Sequence, residues 1–225
     1  MKSIILMCLI VSFAVSCNKP TDYEKYLSNH EIIYPGTVKL KAVGGNYRVL
    51  MYWNPSPDKT IAKYMIYWNH NLDSISVNAT TLDPDSVQQI YFDNLKETQE
   101  YDFTFYSLDS AGNKSIPIKL NPVRVYGNYY QKSLKNRIYS TYSYSNDTVT
   151  IQWNKPDTVN INTQIRFTNL SGQQTIFDLS PTSKSSVIAQ YMPNTYIYYK
   201  SSYLPITNSP DTFYVSKYDS ILIPQ

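Results

Sequence analysis

From Thr37 onward apolar and polar residues alternate with a period of two, and turn-forming residues break the alternation at short intervals. Val38, Leu40 and Ala42 share a face, a Gly44-Gly45-Asn46 turn follows, and Val49, Met51 and Trp53 return on one face of a second strand. Pro55 and Pro57 end that strand, because proline cannot donate to a ladder. A third strand sets Tyr64, Ile66 and Trp68 on one side and Met65 and Tyr67 on the other. Weaker strands surround Ile75 and Val77, Ile90 and Phe92 mark the next, and beyond Leu95 a strand opens with Tyr101, Phe103 and Phe105 facing inward. The turn Asp109-Ser110-Ala111-Gly112-Asn113 leads into the last strand of the series. The pattern predicts an all-β fold.

The pattern then repeats. "VLMYWNP" from Val49 recurs as "VTIQWNKP" from Val149, so Trp153 takes the place of Trp53, and Ile165 and Phe167 take those of Ile66 and Trp68. A repeat about a hundred residues apart means a second domain of similar size. Its later strands match less well: "YMPNTYIYYKSSYLP" offers Tyr196 and Tyr198 on either side of the position that Tyr101 holds in the first copy. Between the copies Tyr130, Leu134 and Ile138 lie four apart, the spacing of one helical face, and predict a short helix wedged between the two domains. Lys132, Lys135 and Arg137 on this segment either solvate that face or grip an anionic partner.

The start of the chain follows a different rule. Lys2 precedes an apolar run, Ile4 to Val15, broken only by Ser12. As a helix it would span only about 18 Å, well short of a hydrocarbon core of about 30 Å. It therefore reads as a signal peptide over residues 1–16. Ala14 and Ser16 precede Cys17, a layout that resembles the lipobox of bacterial lipoproteins, in which the cysteine is acylated and becomes the new N-terminus. An ordinary secretory signal with an incidental cysteine and an uncleaved anchor are the competing readings. Residues 17–34 are polar, without a clear period, and read as a lipidated tether. Asn18 after the cysteine favours the outer membrane, with the cell surface as a further expectation, by analogy with Gram-negative lipoproteins.

With those residues in view, Val38 to Val125 resembles a fibronectin type III domain. The resemblance rests on Trp53, on Tyr64, Ile66 and Trp68, on Leu95 followed by Tyr101, and on the turn at 109–113. It implies a seven-stranded sandwich without catalytic machinery, in which Tyr101 makes a tyrosine corner whose hydroxyl bonds to backbone upstream. The expected organisation is two tandem fibronectin type III or immunoglobulin-like sandwiches, 35–125 and 126–225, the second opening with the linking helix. The whole chain also resembles an uncharacterised family of Gram-negative envelope lipoproteins. That resemblance is carried by the lipobox, by "YPG" at Tyr34 to Gly36, by "YGNYYQKSLKNR" at 126–137 and by "YLP…DTFY" at Tyr203 to Tyr214.

Composition narrows the function classes. The 225 residues include 23 tyrosines but only 2 cysteines, Cys8 and Cys17, both at the start. Once the leader is removed and Cys17 acylated, the folded part would hold no cysteine, so its stability must come from packed cores and not from disulfides. The formal charge is +3 with basic residues scattered, so no nucleic-acid-binding stripe is formed. The 2 histidines, His30 and His70, no Gly-x-Ser-x-Gly elbow and no clustered ligands give no hydrolytic triad, no zinc site and no cofactor. The expectation is a protein that is not an enzyme.

Two surface features remain. Asp followed by Ser or Thr and a small or aliphatic residue occurs at Ser74, Ser86, Ser110, Thr148, Thr158 and Ser220, where composition alone predicts roughly one. This resembles an O-glycosylation acceptor of some Gram-negative envelopes, and equally suits turns that lead into strands. In the fibronectin topology Met65, Tyr67, Thr104 and Tyr106 point outward on one sheet, and Tyr67 with Tyr106 would form an exposed aromatic pair. Such a face stacks on sugar rings, or simply stabilises the sheet by about 0.2–1 kcal/mol. The sequence thus predicts a lipid-anchored, non-catalytic spacer or protein-contact module at the outer membrane, touching an envelope protein partner; the alternative is a surface polysaccharide-binding accessory protein.

Overall fold

Val49, Met51 and Trp53 are buried while Leu50, Tyr52 and Asn54 are half-exposed, and this period-two burial defines strand β2 (Val49–Asn54). It lies in the centre of a three-stranded antiparallel sheet between β1 (Lys39–Gly44) and β5 (Gln88–Phe92), with Trp53 opposite Leu40 and Gln88. The facing sheet has the order β4 (Asp73–Asn78), β3 (Ile61–Trp68), β6 (Glu100–Asp109) and β7 (Ile118–Arg124), all antiparallel. The computed structural model describes residues 34–224; the expected signal peptide 1–16, Cys17 and the expected tether as far as residue 33 lie outside the described residues.

The same layout recurs. A three-stranded sheet of order β12 (Ser185–Ile188), β9 (Thr148–Trp153) and β8 (Tyr139–Ser145) faces a sheet built on β10 (Asn160–Thr168) and β13 (Tyr196–Tyr203), with β11 (Gln174–Leu179) beyond β10. The last strand is split: β14 (Phe213–Tyr214) and β15 (Asp219–Leu222) both pair with β13. The protein is all-β, two tandem fibronectin type III-like sandwiches.

Each sandwich closes on its own core. In the first, Trp53, Tyr64 and Phe105 meet with all three ring centroids 5.3 Å apart, and Val49, Met51, Ile66 and Phe103 complete a fully buried layer. Each such side chain contributes about 1.5–3 kcal/mol relative to exposure. In the second, Trp153 packs edge-on to Tyr199 at 5.1 Å, among Val149, Ile151, Ile165, Ile188, Tyr191 and Ile197.

The joint differs from the expected wedge. Helix α1 spans only Asn128–Ser133. Leu134 is already extended (φ −70°, ψ 142°), and Ile138 is 66% exposed, so neither continues the face begun by Tyr130. The helix stops because the following segment has other partners. Ser201 N–H donates to Asn136 Oδ1 (2.8 Å), Asn136 Nδ2 donates to the Lys217 carbonyl (2.9 Å), and Arg137 N–H donates to Ser201 Oγ (2.9 Å). These bonds require an extended chain. The helix start, which has no side-chain cap of its own, receives Glu97 from the first sandwich: its carboxylate accepts the amides of Tyr129 (2.7 Å) and Tyr130 (2.6 Å).

Around this helix the two sandwiches are clasped. Tyr126, Tyr130 and Phe213 form a ring cluster at 5.0, 5.0 and 6.3 Å. Asp211 accepts from Arg48 through two bonds (2.9 and 2.5 Å) and from the Asn46 amide (2.7 Å). Burial opposes ionisation of Asp211, but the Arg48 and Asn46 bonds outweigh it and hold its pKa below the usual carboxylate value. The Gly44-Gly45-Asn46 turn serves this approach. A Cβ on Gly45 would lie 2.3 Å from Asp211 Oδ2, and one on Gly44 1.8 Å from the Arg124 carbonyl, while the left-handed residue of the turn is Tyr47 (φ 55°).

Candidate functional site

The outer faces of the two larger sheets carry the side chains that could meet a ligand. On the first, Met65 lies opposite Tyr106 and Tyr67 opposite Thr104. The Tyr67 and Tyr106 rings meet edge-to-face at 5.9 Å, and Lys114 Nζ sits over both, 5.6 and 5.3 Å from their centroids. The structure thus brings Met65, Tyr67 and Tyr106 together, but a lysine already covers part of the aromatic surface.

On the second, alternation along β10 turns Thr163, Ile165 and Phe167 inward and leaves Asn162, Gln164 and Arg166 on the outer face; along β13 it leaves Tyr196, Tyr198 and Lys200 there. The result is a ladder of rings and cations. Tyr196 and Tyr198 lie 6.0 Å apart; the Arg166 guanidinium lies 5.0 Å from the Tyr198 ring and 4.7 Å from that of Tyr218; and Lys200 Nζ lies 5.2 Å from Tyr218 and 5.8 Å from Tyr214. Tyr218 is held by its hydroxyl, which donates to Gln164 Oε1 at 2.7 Å. A groove of about 330 Å³ opens beside Lys200, Tyr214 and Tyr218, walled by Asn162, Gln164 and Asp178. The sequence singled out Tyr196 and Tyr198 only as corner candidates, and none of these residues as a binding site. The legible signal was the Tyr-x-Tyr-x-Lys alternation at 196–200, whose partners Arg166 and Tyr218 are brought in by strand pairing and by a loop.

Arg137 has a different place from that of a surface grip. It is 4% exposed, its guanidinium donates to the carbonyls of Asn154 (2.8 Å), Ser180 (3.3 Å) and Ser183 (2.8 Å), and it lies 5.9 Å from the Trp153 ring. Burial alone lowers its pKa. It closes the end of the second core, between clefts of about 460 and 680 Å³ that both include Lys155, Pro156 and Asp157. Lys132 and Lys135 are exposed.

Trp53 and Trp153 are both buried. Tyr101, 6% exposed, accepts the Lys96 amide at 2.8 Å beside half-buried Leu95. In the second sandwich neither Tyr196 nor Tyr198 takes that role, since both face outward. Tyr191, fully buried, does so from the loop before the strand, its hydroxyl donating to the Thr195 carbonyl. Of the Asp-Ser/Thr positions, Ser74, Ser110, Thr158 and Ser220 are exposed, while Ser86 and Thr148 are half-buried. Several of these sites sit in side-chain-stabilised turns: Ser86 Oγ donates to the Asp83 carbonyl, and Asp109 accepts from Asn113 across the hairpin that holds Ser110. Cys17 lies outside the described residues. Among the described residues no three His, Cys, Asp or Glu side chains are grouped to hold a metal ion, and no helix is long and apolar enough to cross a membrane.

Sheet order, paired cores and the tyrosine corner define a tandem fibronectin type III-like protein. Residues 17–213 match the family described as DUF4998, a domain of unknown function, and the chain belongs to that family. Among solved structures it is similar to the chicken CNTN1 FN1–FN3 domains, at 13% identity over 86% of this chain and 68% of that one, with a TM-score of 0.41. It is also similar to a two-domain fibronectin type III segment from chicken tenascin, at 12% identity over 86% of this chain and all of that one, with a TM-score of 0.32. No curated protein matches it.

Proposed function

We propose that this protein is a non-catalytic contact module that acts as a rigid two-sandwich spacer, anchored by an acylated Cys17 to the outer membrane and displayed toward an envelope partner. The observation that carries the reading is the joint. Tandem domains usually pivot when the interface between them is small. Here Arg48 and Asp211, the Tyr126, Tyr130 and Phe213 rings, and Glu97 at the helix start tie the sandwiches through side chains from both sides. A fixed span is what a spacer needs. His70, the one described histidine, lies 3.9 Å from Asp102 on an exposed turn, a place that suits solvation better than proton transfer.

The test is fatty-acid labelling and membrane fractionation of cells that express the full chain or Cys17→Ala. Wild type should carry the lipid and sediment with the outer membrane, and Cys17→Ala should lose both properties. A Cys17→Ala protein that stays membrane-bound would overturn the anchor; crosslinking of intact cells then identifies the neighbour. A second reading, polysaccharide binding through Met65, Tyr67 and Tyr106, is favoured by their shared outer face and opposed by their half-burial and by Lys114 over both rings. Unchanged glycan retention by a folded Tyr67→Ala, Tyr106→Ala double variant would remove that face as the site.

A further inference from the structure

Arg166 and Lys200 are held against rings, as Lys114 is on the first sandwich. Surface cations normally find a carboxylate or stay in water, but among the described residues neither forms an ion pair, and both rest against tyrosine rings instead. Arg166 Nε is buried with no hydrogen-bond partner, and farther along the same outer face of β10 Asn162 Oδ1 is buried in the same condition. A ring face attracts a cation without using its N–H donors. The guanidinium and ammonium are thus positioned while their hydrogen-bonding capacity remains unspent. An acceptor from outside would take up the unspent donors that remain within its reach.

We propose that this outer face of the second sandwich is a binding site for an acidic glycan, with uronate carboxylates meeting Arg166 and Lys200 and sugar hydroxyls meeting the groove wall. Charge sets the sign of the ligand: Lys200 and Asp178 both line the groove, and Arg166, stacked on the groove residue Tyr218, adds a second cation at its edge. The guanidinium fork matches a planar carboxylate through paired bonds. The chemistry of the wall distinguishes a sugar from an acidic peptide. Asn162, Gln164, Ser202 and Thr212 supply amides and hydroxyls suited to a ring of hydroxyl groups, and Tyr214, 52% exposed, offers an aromatic edge. A volume of about 330 Å³ lies at the small end of ligand pockets, which run to roughly 300–1,000 Å³, and suits one or two sugar units of a chain that continues along Tyr198 and Tyr196. The site is a property of the folded second sandwich and does not depend on lipid anchoring or location.

The experiment is calorimetric titration of the purified full chain with oligogalacturonate, with neutral maltohexaose and poly-L-glutamate as comparison probes. Wild type should bind oligogalacturonate saturably, more weakly as salt rises, and bind the other two at least about tenfold less tightly. Arg166→Met and Lys200→Met, which keep the apolar stems, should each weaken binding by on the order of tenfold or more. Arg166→Lys should retain part of it, and Lys119→Met, on the first sandwich, should leave it unchanged. Thermal unfolding of each variant confirms that it is folded. Absence of oligogalacturonate binding up to several millimolar, or binding that survives both methionine variants, overturns the site. Equal binding of maltohexaose overturns the role of charge, and equal binding of poly-L-glutamate overturns the assignment to a sugar.

Discussion

The two sandwiches share a register and differ in what fills it. Tyr64 faces Ser107 across the first pair of central strands, and Thr163 faces Ser201 at the same place in the second. In the first, the Tyr64 ring itself closes the space beside Trp53. In the second, threonine is too small, and the linker enters: Ser201 Oγ bonds Thr163 (2.9 Å), Ser201 bonds Asn136 and Arg137, and the Arg137 guanidinium covers Trp153. The corner is likewise inverted. Leu95 N–H donates to the Tyr47 carbonyl and Tyr191 N–H to that of Asp147, both at 2.9 Å, so Leu95 and Tyr191 hold matching places. The large ring has moved from the strand (Tyr101) to the loop (Tyr191), and the hydroxyl that accepts from a backbone amide in one copy donates to a backbone carbonyl in the other. A backbone architecture can thus keep its hydrogen-bond frame while exchanging which element supplies the bulk.

Truncation tests that exchange most severely. Tyr191→Ala should cost about 3–5 kcal/mol, as for a fully buried aromatic ring, whereas Leu95→Ala, at a half-buried site, should cost about 1–2 kcal/mol. Chemical denaturation measures both; similar values would mean that the bulk has not been exchanged between the two places. Removing only the hydroxyl is gentler. Tyr101→Phe and Tyr191→Phe should each lose about 1 kcal/mol, by removing a bond to a part-buried peptide group, and the two losses should add. Tyr198→Phe should change little, and a loss as large as that of Tyr191→Phe would put the second corner back on the strand.

The clasp comes next in size. Asp211→Asn should cost about 1–2 kcal/mol at neutral pH, because it breaks a two-bond pair with Arg48. The folded pKa of Asp211 lies below the ordinary value of 3.8, so its contribution is present above that pH and is lost as acid protonates it. Wild type and variant should therefore converge in strong acid; a constant gap at all pH values would show that ionisation plays no part.

The smallest effect is alkaline. Tyr199 is pushed from 10.0 up to about 12, first by burial and then by Asp219 and Tyr139. A raised folded pKa means that stability is intact below the unfolded value and falls as pH climbs through the folded one. Tyr199→Phe should flatten that decline in a pH series of unfolding curves. Tyr64, raised by burial in the first sandwich, should leave part of the slope behind.

Period-two alternation, the recurring tryptophan segment and the proline stops were enough to read the all-β class and two tandem sandwiches, since strand burial depends on residues two apart. Spacing over longer loops was not enough. Tyr130, Leu134 and Ile138 have helical spacing, yet the chain turns extended at Leu134 because Ser201 and Lys217, far along the sequence, bond Asn136. The glycines at 44 and 45 looked like turn residues, and their tight fit against Asp211 and Arg124 depends on parts of the chain that no local window contains. The candidate site was half legible. The outward tyrosines of β13 follow from alternation, but Arg166 reaches them by strand pairing and Tyr218 by a loop.

The sequence by itself determined which side chains turn inward, because alternation needs nothing beyond neighbouring residues, and so it determined the two cores. Only the tertiary structure decided which distant residue completes each one. Tyr64 or the linker, Tyr101 or Tyr191, and a cation between two rings are choices made by the space left when strands pair, and that space is set by every element around it.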